Sequence, residues 1–228
     1  MKFVTQLFDF FLPRFCPSCS NKLEPNEHFI CNACIGKIKP AEYYFLESEY
    51  KRKFSADKII SDFLCLYVFE KDKELQHIIH EIKYKENFRL GIYLGKLIGN
   101  KLKEKIFDWS ADLIIPIPLH HLKKAERGYN QSYYIAKGMS SVCKIPVNAS
   151  VIKRNRFTPS QTSLNLDERK ENIQGAFTLK KKKIISGKKI ILVDDVITTG
   201  ATISECGKVL KEAGVKEIYA LSSAIAGL

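Results

Sequence analysis

The stretch Ile190-Ile191-Leu192-Val193-Asp194-Asp195-Val196-Ile197-Thr198-Thr199-Gly200-Ala201-Thr202 decides how the rest of this 228-residue chain is read. Four consecutive apolar residues are the pattern of a strand buried on both faces, as in a parallel sheet. The reading predicts that Asp194 and Asp195 emerge at the end of that strand. Ligands of open α/β sheets bind there, beyond the carboxyl ends of the strands. Two adjacent carboxylates in that position accept hydrogen bonds from vicinal hydroxyls such as those of a ribose. The segment Thr198-Thr199-Gly200-Ala201-Thr202 is small, rich in hydroxyls and opens a helix. Free N–H groups and the positive dipole end of a helix start favour a phosphate, and Gly200 lets the backbone come close to it. An apolar strand ending in Asp-Asp also resembles a Walker B strand, but no G-x-x-x-x-G-K-[ST] segment accompanies it, which removes the ATPase reading. An ordinary strand-to-helix turn with Thr202 as N-cap accounts for the threonine and leaves the acids without a role.

Outward from this stretch the chain alternates strands and helices. Leu113 to Ile117 and Ile218 to Leu221 read as further buried strands, and Phe63 to Phe69 as a strand of its own. Helical spacing joins Leu75, Ile78, Ile79 and Ile82, then Leu90, Tyr93, Leu94, Leu97, Ile98 and Leu102. Arg127 to about Met139 is predicted as one helix, and Thr202 to Ala213 as another ended by Gly214. The alternation implies an α/β class with a parallel sheet covered on both faces.

The amino-terminal part carries different chemistry. Cys16-Pro17-Ser18-Cys19, eleven intervening residues, then Cys31-Asn32-Ala33-Cys34 make a C-x2-C…C-x2-C pattern. Each pair directs two thiolates at one point, and two pairs complete a tetrahedron suited to Zn2+ with no position left open. The expected metal is therefore structural, in a zinc-ribbon-like module at residues 1–45 followed by an α/β domain at 46–228. Cys65, Cys143 and Cys206 are isolated and read as small core residues. Apolar positions 3, 4, 7, 8, 11 and 12 have helical spacing, with Asp9 between them, so the first residues read as an amphipathic helix rather than a signal peptide.

Hydrophobic residues make up 45% and charged residues 27%, which describes an ordinary globular chain. No apolar run approaches the roughly 20 residues of a membrane span, and the expectation is a cytoplasmic protein, not an integral membrane one. The formal net charge of +12 favours anionic partners: nucleic acid, lipid or phosphorylated small molecules. Between Val151 and Ile190 eleven Lys/Arg face three Asp/Glu, including the run Lys180 to Lys183.

The thirteen residues quoted first resemble the phosphoribosyl pyrophosphate-binding motif of type I phosphoribosyltransferases. Ile115-Pro116-Ile117-Pro118-Leu119-His120, Arg127-Gly128-Tyr129-Asn130-Gln131 and Arg154…Thr158-Pro159-Ser160-Gln161-Thr162…Arg169…Gly175-Ala176-Phe177 resemble the ComF/GntX-type competence proteins of that fold. So does the cysteine module followed by Lys83-Tyr84. The resemblance implies a type I phosphoribosyltransferase-like domain binding phosphoribosyl pyrophosphate, or another ribose 5-phosphate ligand, with Mg2+ bridging the ligand's oxygens. It implies that Asp194 and Asp195 hold the ribose hydroxyls and that Thr198, Thr199, Gly200, Ala201 and Thr202 hold the 5′-phosphate. Pro118 and Leu119 would offer backbone to the diphosphate and Arg127 its guanidinium, giving Asp194, Asp195 and Arg127 as the catalytic set. Residues 154–175, with Arg154, Gln161 and Arg169, would form a lid. The chain departs from the family at Glu86, where glycine is common, and at Glu126, where a basic residue is. Three functions follow as expectations: action with single-stranded DNA in uptake during transformation, a salvage or biosynthetic phosphoribosyltransferase, and a non-catalytic module for a helicase or other DNA-processing partner.

Overall fold

The computed structural model describes residues 12–157 and 172–227; most of the predicted leading helix, with Gln161 and Arg169, lies outside them. In chain order the elements begin with α1 (Asn32–Lys37), α2 (Tyr43–Lys53), β1 (Asp62–Phe69), α3 (Glu74–Tyr84), α4 (Phe88–Lys101) and α5 (Lys103–Asp108). They continue with β2 (Leu113–Pro116), α6 (His121–Arg127), α7 (Gln131–Cys143), β3 (Ile152–Arg154) and β4 (Phe177–Leu179). A 3-10 turn at Lys182–Ile184 precedes β5 (Lys189–Ile197), α8 (Ala201–Glu212) and β6 (Glu217–Ala226).

Four strands form one sheet in the order β1-β6-β5-β2, every neighbouring pair parallel, and β3 and β4 form a small antiparallel pair. The sheet alternates its side chains between two cores. Leu64, Ile114, Ile191, Val193 and Leu221 face α3, α4, α7 and the cysteine module. Phe63, Cys65, Ile115, Ile190, Leu192 and Ala220 face α2, α8 and the β3–β4 pair. The α/β class with both sheet faces covered is thus the observed one. The predicted helical stripe Leu75, Ile78, Ile79 and Ile82 is the buried face of α3. Cys65, Cys143 and Cys206 are buried in the core as expected. Helix α2 runs across residues 45 and 46, and the cysteine module shares its core with β1 and α3.

Two boundaries differ from expectation, each for a local reason. Strand β5 does not stop at Val193 but runs to Ile197, so Asp194 and Asp195 lie within it; β6 continues alongside, pairing Asp194 with Ser222 and Val196 with Ala224. The helix predicted from Arg127 is two helices. Gly128 takes φ +73° and closes α6 at Arg127, and Asn130 caps α7 by accepting from Ser132 N–H (3.1 Å). Arg127 therefore ends a helix instead of starting one.

Helices α4 and α7 cross at bare backbone. A Cβ on Gly95 would lie 2.0 Å from the Ile135 carbonyl oxygen and 2.9 Å from Gly138 Cα, and one on Gly138 would lie 2.1 Å from the Ile92 carbonyl. Since α7 carries part of the site at its amino end, this crossing fixes where that end points. Gly95→Ala gains about 1 kcal/mol of helix propensity but pushes two backbones apart, a cost at the top of the overpacking range. Urea unfolding should show the variant less stable by about 2–3 kcal/mol.

Candidate functional site

The carboxyl edge of the sheet gathers the site from four directions. Strand β5 brings Asp194 and Asp195. The chain leaving β2 lies beside them, since Ile117 N–H donates to the Val193 carbonyl (2.9 Å), and this places half-buried Pro118 and Leu119 next to the acids. Asn130 Nδ2 holds that turn by donating to the Ile117 carbonyl (2.9 Å). From the other side come the start of α7 and the end of α3. Tyr129 ties the two together, its hydroxyl donating to the Ile82 carbonyl.

Each acid has its own partner. Asp194 Oδ1 accepts from Ser132 Oγ (3.0 Å) and from the Asp195 N–H (2.9 Å). Asp195, 5% exposed, has its Oδ2 only 2.6 Å from Lys83 Nζ. Burial and then the neighbouring charge of Asp195 push the Asp194 carboxyl up to about 8, so it holds a proton at neutral pH. Burial raises Asp195 as well, but the Lys83 ammonium outweighs it and holds that carboxyl below its usual value. The pair thus carries close to one negative charge, placed on Asp195.

Beyond β5, Thr198 is exposed, Thr199 half-buried and Gly200 takes φ +81° at the start of α8. A side chain at Gly200 would also meet Phe54 Cε1 at 2.8 Å, so the glycine serves both the turn and the packing of α2 beneath it. Lys53 fixes the turn from below, donating to the Thr198 carbonyl and to that of Ala226 (3.4 Å). Ala201 N–H donates to Thr199 Oγ1 (3.3 Å), and no side chain caps α8. The following first-turn N–H groups have no acceptor inside the helix, and both Ala201 and Thr202 are partly exposed.

Cations gather at this edge, with Lys83 paired to Asp195 and Arg154 close enough to Asp194 to feel its charge. Lys123, half-buried, is held below its usual pKa first by burial and then by the like charges of Arg154 and Arg127, with Lys83 adding to them. Arg127 lays its guanidinium 5.3 Å from the Tyr84 ring centroid, and its buried Nε has no hydrogen-bond partner among the described residues. Arg154 ends β3 instead of lying in the predicted loop, with its guanidinium 5.5 Å from the Phe177 ring. The feet of that loop are tied down: Arg156 donates to the carbonyls of Asn172 (2.8 Å) and Gln174 (2.7 Å), and Gly175 N–H donates to Glu205 Oε1 (2.7 Å). Sequence reasoning does not single out Lys83, Lys123 or Ser132 as site residues. Lys83 enters it only as a helix boundary, and the signal for its role is its place at the end of a helix ending beside the acids. Glu86, where the resemblance leads to an expectation of glycine, adopts φ +53°, the left-handed region that favours glycine.

The four cysteines of the amino-terminal module converge. Their Sγ atoms all lie within 4.8 Å of one another, with Cys19 and Cys31 at 3.7 Å. Tetrahedral Zn2+ with Zn–S bonds of about 2.3 Å sets S···S near 3.8 Å, so this donor set fits zinc. Burial pushes the Cys34 thiol up to about 12, and a metal bound by the four sulfurs would favour its ionised form. The Lys180–Lys183 run is exposed and precedes the amino end of β5, away from the acids.

The phosphoribosyl transferase domain family matches residues 95–224. Competence protein F of Haemophilus influenzae is 33% identical over 148 residues, 63% of this chain and 65% of that protein. The DNA utilization protein YhgH of Escherichia coli K12 is 26% identical over 147 residues, 63% and 64% of the two chains. The chain thus spans slightly under two thirds of the length of these relatives. Among solved structures, the allosteric regulatory enzyme of purine biosynthesis aligns with TM-score 0.43 at 19% identity, covering 63% of this chain and 30% of that one.

Two measurements test this geometry. Because Asp194 holds its proton to about pH 8 when folded and only to about 4 when unfolded, it adds stability below pH 4 that is lost as pH rises to 8. Asp194→Asn keeps the acceptor for Ser132 and removes the charge. Its unfolding free energy from urea titrations, relative to the unchanged protein, should rise from pH 5 to about pH 8 and level off above that, by at most about 1.4 kcal/mol per pH unit; parallel curves would refute the assignment. Stripping zinc with a strong chelator should release one metal per chain and expose four thiols to a thiol reagent. Because Cys16, Cys31 and Cys34 share a core with Leu64, Leu75 and Ile78, it should also lower Tm by about 10 °C or more.

Proposed function

The chain belongs to the phosphoribosyl transferase domain family, and from that premise we propose that it binds phosphoribosyl pyrophosphate with Mg2+ at the Asp194–Asp195 edge and acts with single-stranded DNA during DNA uptake. The observation that carries the ligand is the arrangement of charge. One ionised carboxylate, a carboxyl that holds its proton, an uncapped helix start and the cations Lys83, Lys123, Arg127 and Arg154 meet at one edge of the sheet. A diol, a terminal phosphate and a diphosphate on one molecule answer all of these.

In this reading Asp194 and Asp195 accept the ribose hydroxyls, and the first turn of α8 takes the 5′-phosphate. Arg127, whose Nε has no hydrogen-bond partner among the described residues, joins Lys123 and Arg154 in neutralising the diphosphate. Mg2+, when bound, would offset diphosphate charge; it prefers oxygen ligands, and beside the ligand's own oxygens the ionised carboxylate of Asp195 is the acid placed to supply one. Zn2+ at Cys16, Cys19, Cys31 and Cys34 serves the fold. The DNA partner is supported by what the relatives are called, competence and DNA utilization proteins, and by the +12 charge. Exposed Phe157, with Lys123 Nζ 5.8 Å over its ring, places an aromatic and a cation at the rim of the site, a pairing suited to unpaired bases.

Calorimetry with phosphoribosyl pyrophosphate and Mg2+ should give saturable binding. Replacing both acids by asparagine should weaken it by about tenfold or more, most of it from the charge-assisted hydrogen bond to Asp195, while leaving DNA binding in place. DNA affinity should fall about three hundredfold between 50 and 200 mM salt if six phosphates of the single strand are contacted, and more steeply with more contacts. Absence of sugar-phosphate binding removes the ligand half of the proposal, and salt-insensitive or absent DNA binding removes the other.

A further inference from the structure

We infer that Lys83 is a specificity-determining latch: it occupies Asp195 when no ligand is present and yields it only to a sugar phosphate that also carries a diphosphate. The inference rests on the ribose-phosphate reading of the site and adds a selection rule to it.

Lys83 comes from α3, upstream of the matched residues 95–224, so it is supplied by a part of the chain outside the shared domain. Its Nζ lies 2.6 Å from Asp195 Oδ2, and the two side chains are 24% and 7% exposed. A ribose hydroxyl cannot reach that oxygen until the ammonium moves away. The ammonium is only 24% exposed and shares its surroundings with Lys123, Arg127 and Arg154, so an incompletely solvated cation that gives up its counter-ion there is disfavoured. The backbone around it is fixed by Tyr129, whose hydroxyl holds the Ile82 carbonyl one residue before Lys83. Lys83 therefore reorients as a side chain, not by movement of α3.

The two ends of the ligand differ in what they offer this ammonium. A 5′-phosphate belongs at the start of α8, where backbone N–H groups satisfy it. A sugar 5-phosphate without a second anion thus brings a diol for Asp195 and nothing for Lys83. A diphosphate on the anomeric carbon enters the cluster of cations itself and gives Lys83 a new partner as the diol displaces it. Binding of the diol and of the diphosphate are coupled through one side chain. The consequence is discrimination against ribose 5-phosphate beyond what the absence of a diphosphate alone would give.

The experiment is calorimetry on the full chain with phosphoribosyl pyrophosphate plus Mg2+, and separately with ribose 5-phosphate, for the unchanged protein, Lys83→Met and Lys83→Arg. In the unchanged protein the diphosphate ligand should bind at least about a hundredfold more tightly. Lys83→Met should weaken that ligand about tenfold and leave ribose 5-phosphate equal or stronger, shrinking the ratio tenfold or more, whereas Lys83→Arg keeps the ratio. Lys83→Gln keeps a neutral donor for Asp195 and reads the same ratio should the methionine variant not fold. A loss of equal factor for both ligands in Lys83→Met and Lys83→Gln overturns the latch, as does an unchanged ratio. If the unchanged protein binds neither sugar phosphate, the ribose-phosphate reading fails and the latch goes with it.

Discussion

Adjacent carboxylates on a buried strand repel each other and give up their hydration, and the elements at the carboxyl edge of the sheet are arranged around relieving that strain on charge. Asp195 is satisfied by the Lys83 ammonium and stays ionised, whereas Asp194 accepts from Ser132 and holds its proton to about pH 8. Both partners come from the same side of the sheet, one at the end of α3 and one at the start of α7. Their positions depend on the α4–α7 crossing at Gly95 and Gly138 and on the Tyr129–Ile82 bond between the Arg127-Gly128-Tyr129-Asn130-Gln131 segment and α3. Core packing, the helix crossing and the acid pair are in this sense one construction: loosening the crossing moves the group that keeps the acids tolerable.

The cysteine module enters the same construction from outside. Its four thiols close on a point fit for zinc, while Cys16, Leu23, Ile30, Cys34 and Ile38 pack into the core shared with Leu64, Leu66, Leu75 and Ile78. A metal held there would organise this short segment and, through the shared core, shore up β1 and α3, and α3 is the helix that carries Lys83. Bracing of the site's outer wall needs no direct contact between metal and ligand.

Much of this is legible in the residues because buried parallel strands and amphipathic helices leave simple patterns. Periodicity alone places Ile190 to Val193, Leu113 to Pro116 and the stripe Leu75, Ile78, Ile79, Ile82, and the spacing of Cys16, Cys19, Cys31 and Cys34 declares their convergence. The extension of β5 through Asp194 and Asp195 is hidden because two acids do not look like strand interior. Pairing with β6, itself extended through Ser222 and Ser223, carries the backbone through them. Gly128 is visible, yet its left-handed turn between two short helical stretches depends on Asn130 supplying a cap. Lys83 and Ser132 are beyond reach, since each gains its role only from a neighbour more than 60 residues further along the chain.

Everything rests on a sugar phosphate lying between the acids and the first turn of α8. Backbone amide NMR of the isotope-labelled chain, titrated with phosphoribosyl pyrophosphate and Mg2+, reads that contact directly. The amides of Asp195 and of Thr199 to Ile203 should shift and saturate together at one ligand per chain. Saturable shifts confined to other regions, with those amides unmoved, would contradict the account.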